Sequence, residues 1–204
     1  AQSVYSNLNG TVGYIKITEF YATTADQLKK AVENLSNQGA TSLVFDVRGT
    51  SAGTIEYAAT TLDVLVPVAN EGSGALATAL AKDGTEKQTF TADADSVSMP
   101  MLVLVNGETA GPAELFACDL RDYGKAQLVG QKTAGNGTMQ QAFPLSDGGA
   151  IVLTMAVIQP YVSESYNQVG LTPDVEVALS DEKQTILPLL SQAEDDQFQK
   201  AYTM

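Results

Sequence analysis

The stretch of the chain with the pattern of an enzyme site is residues 102–117. An apolar run ends at Asn106, six mostly small or turn-forming residues follow, and a helical pattern then begins. A strand, a tight elbow and a helix form the arrangement in which α/β enzymes often present a nucleophile at a helix N-terminus. The tip of this elbow, at Gly111, holds neither serine nor cysteine. The stretch is therefore an active site, a former active site, or only a turn.

Few residue types in this chain can carry out acid–base chemistry. The chain has no histidine and a single cysteine, Cys118. This excludes Ser-His-Asp and Cys-His catalysis and leaves lysine or carboxylates as general bases. A lone cysteine also excludes an internal disulfide and a cysteine-rich zinc site. Because Cys118 falls inside the helical pattern after the elbow, we expect a buried structural thiol rather than a nucleophile.

Two carboxylates near each other in the sequence, Asp93 and Asp95, could suggest a metal site. No further ligand lies close to this pair, whereas a protein metal site needs several donors. The pattern therefore predicts a solvated loop there, and we expect neither a metal nor a cofactor.

The composition indicates one folded, acidic domain. The chain has 204 residues, 44% of them hydrophobic, which suffices for a single domain with a core. Since no linker or repeat marks a boundary, we treat residues 1–204 as one domain. The net charge of −13 argues against nucleic acid and anionic membranes as partners. No apolar run reaches the roughly 18 residues that would predict a membrane span.

The first part of the chain has the order of a βαβ unit. Alternating apolar and polar residues predict a half-buried strand over 11–20. A capping box of Thr24 with Gln27 predicts the start of a helix. A nearly continuous apolar run predicts a buried parallel strand at 42–47. The turn at 48–53 then leads into a second helical pattern, which favours a right-handed, mostly parallel sheet.

The rest of the chain adds strands, two hairpins and a final helix. Turn residues at 82–85 and 146–149 predict the hairpins. The elbow helix is expected to end near Tyr123, and a charged helix is predicted at 191–201. Further strand patterns occur at 101–105, 126–130, 139–145, 150–157 and, at an edge, 169–177.

Several motifs in this order resemble the protease domain of the C-terminal processing peptidases, or tail-specific proteases, which are serine peptidases with a Ser-Lys dyad. Asp-Val-Arg-Gly-Thr-Ser-Ala-Gly at 46–53, for example, is similar to the family's Asp-Leu-Arg-Asn-Asn-Pro-Gly-Gly. The resemblance covers nearly the whole chain and implies an α/β fold of the ClpP/crotonase type, a spiral of mostly parallel sheet with flanking helices and β-hairpins. The other matching segments are 100–106, 122–126, 129–133, 148–151 and 170–174.

The resemblance assigns the site positions residue by residue. The family's nucleophile is the middle serine of Ser-Ala-Ser-Ala-Ser-Glu-Ile, which corresponds to the segment 109–115 and places Gly111 at the nucleophile position. The general-base lysine of Phe-Gly-Lys-Gly corresponds to Asn136. The glutamine that supports the dyad in the family is present as Gln140. Both members of the dyad are therefore replaced.

These replacements remove the chemistry of the family. Gly111 has no side chain to attack a carbonyl, and the amide of Asn136 cannot take a proton near neutral pH as a desolvated lysine can. In the family, the residue after the nucleophile donates its backbone N–H to the oxyanion hole, but Pro112 has no N–H. Losing one such donor typically costs about 10²–10³ in rate. The second oxyanion donor is expected near Ala52 or Gly53.

Two functions remain open from the sequence. In the first, the chain is an inactive homologue that binds unfolded or C-terminal peptide segments at a sheet edge, or serves as a structural module. In the second, it is an active peptidase in which a threonine, Thr109 or Thr138, and Lys132 replace the dyad, which requires the two groups to lie within about 3 Å of each other. The resemblance further implies a location outside the cytoplasm, in the bacterial cell envelope or secreted, and is compatible with a PDZ domain before Ala1 in the full-length protein.

Overall fold

The computed structural model describes residues 1–66, 74–92 and 97–204, so the predicted loop with Asp93 and Asp95 lies outside the described residues. The strands are β1 (Val4–Asn9), β2 (Val12–Ile17), β3 (Glu19–Phe20), β4 (Ser42–Asp46), β5 (Ala52–Gly53), β6 (Ala75–Leu80), β7 (Glu86–Thr91), β8 (Met101–Val105), β9 (Ala126–Gly130), β10 (Thr138–Pro144), β11 (Ala150–Pro160) and β12 (Val175–Glu176). The helices are α1 (Thr24–Asn37), α2 (Ile55–Asp63), α3 (Pro112–Asp122), α4 (Asp181–Thr185) and α5 (Asp196–Tyr202), with a 3-10 turn at Leu187–Leu189.

Six strands form the central sheet, in the order β1-β2-β4-β8-β9-β12. Strand β1 is antiparallel to β2, and every other neighbouring pair in this sheet is parallel. The apolar runs of β4 and β8 are buried because helices cover both faces of the sheet. The predicted α/β class, with a mostly parallel sheet, flanking helices and hairpins, is confirmed.

Alternate residues of β4 enter cores on opposite faces of the sheet. On one face, the ring of Phe45 lies 5.5 Å from that of Phe116 in α3, which lies 5.5 Å from the ring of Phe20. On the other face, Val44 packs in a smaller cluster with Phe198 of α5. A fully buried phenylalanine stabilises the fold by about 1.5–3 kcal/mol. Phe116 therefore anchors α3, the helix that follows the elbow, in the larger core.

A second, antiparallel sheet contains both predicted hairpins, in the order β10-β11-β6-β7. The turn with Asp83 and Gly84 joins β6 to β7, and residues 145–149 join β10 to β11. The hydroxyl group of Tyr123, after the end of α3, donates to the carbonyl oxygen of Ala75 at 2.7 Å and ties the two parts of the fold together. Among the described strands, β10 pairs only with β11, so its other side is a sheet edge.

The capping box predicted at the start of α1 is wrong. The N-cap is Thr23, whose side chain caps no backbone N–H. The hydroxyl of Thr24 instead lies 2.8 Å from that of Ser3, and the Gln27 side-chain oxygen accepts hydrogen bonds from the N–H groups of Ser3 (2.9 Å) and Val4 (3.2 Å). These side chains dock α1 against β1, a strand that the sequence patterns did not predict.

The C-terminal helix is shorter than the predicted 191–201. Helix α5 begins at Asp196 because the carboxylate of Asp195 caps it, accepting hydrogen bonds from the N–H groups of Gln197 (3.1 Å) and Phe198 (3.0 Å). Helix α4 and the 3-10 turn, which were not predicted, precede it. None of the helices described in the structure is long and apolar enough to cross a membrane.

The strand predicted over 11–20 is divided in two. Strand β2 ends at Ile17, and the short β3 leaves the central sheet to pair with β5. In this parallel pair, Glu19 lies opposite Ala52 and Phe20 opposite Gly53. The division matters for the site, because β3 supports the turn that precedes α2.

Candidate functional site

The elbow between β8 and α3 turns at Gly111, which has φ 59° and ψ −116°. A positive φ strains any residue with a side chain, and glycine adopts it readily. Pro112 follows as the first helical residue, where its fixed φ and missing N–H fit. A Cβ atom at position 111 would lie 3.8 Å from the carbonyl oxygen of Asn136 and 4.0 Å from that of Ser51. The position that the resemblance assigns to a nucleophile therefore faces both neighbouring loops and has room for a side chain.

The buried carboxylate of Glu114 joins the elbow to the loop that carries Asn136. It accepts hydrogen bonds from the backbone N–H groups of Gly111 (3.1 Å), Gly135 (2.7 Å) and Asn136 (2.7 Å), and from the hydroxyl of Thr133. No role for Glu114 was predicted from the sequence. A glutamate three residues after a helix N-cap is a capping-box pattern, and this was the available signal. Its longer-range partners come from the fold.

The turn at 48–53 is fixed against the elbow by backbone contacts. The N–H of Ala110 donates to the carbonyl oxygen of Thr50 at 3.0 Å. The hydroxyl of Thr50 is buried and donates to the carbonyl oxygen of Ile17 at 2.7 Å. At Gly53, with φ 116°, a Cβ atom would lie 2.2 Å from the carbonyl oxygen of Phe20, so only glycine fits there. Together these contacts hold the turn in place against the elbow.

A buried ion-pair network holds the base of this turn. The Arg48 guanidinium group contacts the carboxylates of Asp46 (2.7 Å) and Asp195 (2.6 Å), and Lys16 and the Tyr14 hydroxyl also contact Asp46, at 3.2 and 2.7 Å. Burial would raise the pKa of Asp46, but the positive charges of Arg48 and Lys16 outweigh it and hold this pKa well below its usual value. The network links the turn to the N-cap of α5.

The elbow, the turn and the loop enclose a cleft of about 190 Å³. It brings together five of the predicted positions, listed last. Ala52 lies one residue before Gly53 in β5, outside the lining. None of the ten lining residues in the described part of the chain has an ionisable side chain. They are Ser51, Gly53, Thr54, Ile55, Gly111, Pro112, Asn136, Thr138, Met139 and Gln140, and the predicted positions among them are Gly53, Gly111, Pro112, Asn136 and Gln140.

The backbone of the elbow offers no free donor for an oxyanion. The N–H of Gly111 is bound by Glu114, and Pro112 has no N–H. The N–H of Ala113 donates to the carbonyl oxygen of Ala110 at 3.2 Å. Across residues 111–113, then, every backbone N–H that exists is already used within the elbow.

The alternative pair, Thr109 and Lys132, does not line this cleft. Thr109 is buried; its hydroxyl donates to the carbonyl oxygen of Val47 at 3.0 Å and accepts from the N–H of Asn106 at 3.0 Å. Lys132 is exposed and lines a separate cleft of about 350 Å³ that also includes Glu108. The hydroxyl of Thr109 thus stabilises the elbow, and the lysine lies on the other side of it.

The chain matches known proteins over most of its length. The sequence profile of Peptidase family S41 matches residues 11–177. The chain is 32% identical over 181 residues to the carboxy-terminal processing protease CtpA of Bacillus subtilis (strain 168). This alignment covers 88% of this chain and 38% of that protein. The chain is 33% identical over 172 residues to the chloroplastic carboxyl-terminal-processing peptidase 1 of Arabidopsis thaliana, with 81% and 34% coverage. The chain therefore spans less than half of each relative.

Solved structures share the fold. The photosystem II D1 C-terminal processing protease superposes with a TM-score of 0.75 and 27% identity, covering 87% of this chain and 48% of that one. A lipoprotein from Streptococcus agalactiae superposes with a TM-score of 0.68 and 20% identity, covering 96% and 71%, which is a likeness of fold alone. The chain belongs to peptidase family S41, the family that includes the C-terminal processing proteases.

Proposed function

We propose that this chain is a non-catalytic member of peptidase family S41 that binds extended peptide segments in the cleft at Gly111. The observation that carries the proposal is the lining of the cleft, whose ten residues include no ionisable side chain. Peptide hydrolysis by a Ser-Lys dyad needs a nucleophile and a base within hydrogen-bonding reach. Gly111 and Asn136 occupy the positions that the family resemblance assigns to these two groups.

The two threonine hydroxyl groups in the cleft lack a partner that could activate them. The Thr54 hydroxyl accepts a hydrogen bond from the N–H of Tyr57 at 3.3 Å and caps α2. The Thr138 hydroxyl donates to the Asn136 side-chain oxygen at 2.9 Å. An amide cannot serve as the base that removes a hydroxyl proton. The hydroxyl groups are therefore suited to binding polar backbone groups of a peptide.

An extended peptide fits the shape of the site better than a compact ligand. Pockets for drug-sized molecules usually enclose about 300–1,000 Å³, and this cleft is smaller. It adjoins Thr138, the first residue of the edge strand β10. Edge strands bind extended peptides through backbone hydrogen bonds, and small adjacent pockets take alternate side chains. Ile55 and Met139 supply apolar surface for one such side chain.

The competing function, peptidase activity through Thr109 and Lys132, has less support. The Thr109 hydroxyl is buried and engaged by Val47 and Asn106. Reaching a substrate in the cleft would break both bonds and leave a buried carbonyl and N–H unpaired, at about 1–3 kcal/mol each. We therefore assign these residues to the scaffold.

The proposal treats residues 1–204 as one domain and its ligands as unfolded or C-terminal segments of proteins. Relatives named as C-terminal processing proteases, from bacteria and from chloroplasts, support this choice of ligand. By the same resemblance, we place the protein outside the cytoplasm, in the cell envelope or secreted. Fractionation of the native host tests this location. We expect the full-length protein in the cell-envelope or secreted fraction.

Binding to reduced, carboxymethylated casein peptides tests the function. We expect saturable binding in fluorescence polarisation, with every bound peptide recovered intact by mass spectrometry. Ser51→Trp places a large ring at the exposed rim of the cleft and should abolish binding. Ser36→Trp makes the same change on the exposed side of α1 and should leave binding unchanged. Equal binding by the wild type and Ser51→Trp would refute a peptide site in this cleft.

A further inference from the structure

A second group of reactive side chains lies on α3, outside the cleft. Cys118, Asp119 and Asp122 each offer one donor atom, and these atoms all lie within 4.8 Å of one another. Positions 118 and 122, and 119 and 122, are neighbours on a helix surface. Within the described residues this is the one such group of cysteine and carboxylate side chains. From the sequence, Cys118 was expected to be only a buried structural thiol.

Asp119 is the unexplained member of the group. Its side chain is completely buried, and neither carboxylate oxygen has a hydrogen-bond partner in the described structure. The backbone N–H of Tyr161 faces this carboxyl group without reaching hydrogen-bonding geometry. Burying a carboxylate without a partner is costly, and native proteins avoid it unless an ion or another group completes the site.

Hydrogen bonds from residues outside the group hold the Asp122 carboxylate in place, as is usual for a metal ligand. Its carboxylate accepts hydrogen bonds from the N–H groups of Val162 (3.1 Å) and Ser163 (2.8 Å) and from the Ser163 hydroxyl. Hydrogen bonds of this kind orient the residues that bind a metal and are typical of metal sites. Asp122 is also the last residue of α3, where the negative end of the helix dipole favours a cation.

We propose that Cys118, Asp119 and Asp122 bind one divalent cation of the zinc type. One sulfur and two oxygen donors suit Zn²⁺, which takes Cys and Asp ligands at about 2.0–2.3 Å and can keep a water as its fourth ligand. On binding, the Cys118 thiol and the Asp119 carboxyl group release their protons to solvent. The half-exposed Asp122 and the segment 161–163, in which Val162 is 67% exposed, provide a short path from solvent.

The bound cation would stabilise the fold rather than take part in the cleft. It would join the end of α3 to the segment 161–163 after β11 through ligand and outer-shell contacts. A cation that binds the folded chain alone raises the free energy of unfolding by RT ln(1 + [M]/Kd). The inference does not depend on peptide binding, because no member of the group lines the cleft.

The competing explanation is a neutral Asp119 that needs no cation. Burial, with a smaller contribution from the charge of Asp122, raises the pKa of Asp119 well above its usual value. A protonated carboxyl group is much less costly to bury than a carboxylate. The two explanations differ in whether Cys118 becomes a thiolate when a metal is added.

Titration with Co²⁺ and Cd²⁺ distinguishes them. The chain has one cysteine and no histidine, so any thiolate-to-metal charge-transfer band arises from Cys118. We expect this band to saturate at one metal ion per chain and the thermal midpoint to rise with it. Asp119→Asn, which keeps the shape of the side chain, should weaken binding by more than about tenfold. Cys118→Ser should remove the band.

The net charge of −13 makes weak surface binding a necessary control. Glu33→Gln removes one exposed carboxylate on α1 and should leave the band and the affinity unchanged. Circular dichroism checks that each variant is folded. No charge-transfer band on the folded wild type at equimolar metal, or a band with the same affinity in Asp119→Asn, would overturn the proposal.

Discussion

The carboxylate of Glu114 accepts a hydrogen bond of 2.7 Å from the backbone N–H of Asn136. Glu114 lies three residues after Gly111, and it also accepts the N–H of Gly111 itself. One buried side chain therefore fixes both positions that the family resemblance assigns to the dyad. The same carboxylate thus joins the elbow to the loop that carries Asn136.

Replacing Glu114 with glutamine should destabilise the fold. The amide keeps one acceptor oxygen but turns N–H groups toward N–H donors of the loop and the elbow. With at least two buried donors left unpaired, at about 1–3 kcal/mol each, we expect a loss of about 3–5 kcal/mol. Urea unfolding measures it.

The matched control is Glu108→Gln, an exposed position on the same elbow. Its free energy of unfolding should stay within about 0.5 kcal/mol of the wild type. A loss below about 1 kcal/mol in Glu114→Gln would contradict the organising role of this carboxylate.

Gly111→Ala should cost about 1–3 kcal/mol in stability, because a positive φ strains alanine while the added Cβ meets no close atom. Gly84→Ala is the matched control for the strain of a positive φ alone, because Gly84 has φ 81° and open space around it. Gly53→Ala should cost clearly more, since its Cβ would clash with the Phe20 carbonyl oxygen. Chemical denaturation measures these losses. Equal losses of stability in Gly53→Ala and Gly111→Ala would contradict the open space around position 111.

The pair of Asp46 and Arg48 should make stability depend on pH in acid. The folded-state pKa of Asp46 is lowered from 3.8, so its contribution is complete above about pH 4 and is lost as the pH falls toward the folded-state value. Asp46→Asn should reduce this slope. It should also lower stability at neutral pH by about 3–5 kcal/mol, because Arg48 stays buried with only part of its partners.

Unfolding by urea between pH 2 and about pH 7 measures both effects. Lys183→Met, which breaks the exposed pair with Asp196, should change stability by less than about 1 kcal/mol. An unchanged acid slope in Asp46→Asn would contradict the assignment of this pH dependence to the Arg48 network.

Local patterns were sufficient for much of the fold. The apolar run before Asn106, the six mostly small or turn-forming residues after it and the helical pattern that follows predicted β8, the elbow and α3, since each signal acts within a few residues. The hairpin turns were equally local. Strand β1 was missed because only its first residue, Val4, is buried, so its sequence has no clear apolar alternation. The Thr24–Gln27 pattern was misread because its true partners lie at the start of that missed strand: Val4 is its first residue and Ser3 precedes it.

The predicted site positions came from family resemblance, and the contacts that organise them could not be read from the sequence. Glu114 meets Thr133, Gly135 and Asn136 across about 20 residues, a distance over which spacing carries no signal. Cys118, Asp119 and Asp122 share one helix turn. Their spacing was visible, but the burial of Asp119 without a partner was not.

Restoring the family residues should restore activity if the site geometry is intact. We expect the variant Gly111→Ser, Pro112→Ala, Asn136→Lys to cleave casein, because it regains nucleophile, base and backbone donor while Gln140 remains. Each single change alone should stay inactive, since such groups act as a unit. The control carries Gly111→Ala in place of Gly111→Ser and should not cleave. A folded triple variant without activity would show that the cleft no longer fits a scissile bond.

The most direct test of the account is casein hydrolysis by the purified wild-type chain. We predict no cleavage above the buffer background over extended incubation, measured by the release of labelled peptides. Lys132→Ala and Thr109→Val should give the same background. Cleavage by the wild type that is reproducible between preparations and disappears in Lys132→Ala would contradict the central claim that this member of the family binds peptides without cutting them.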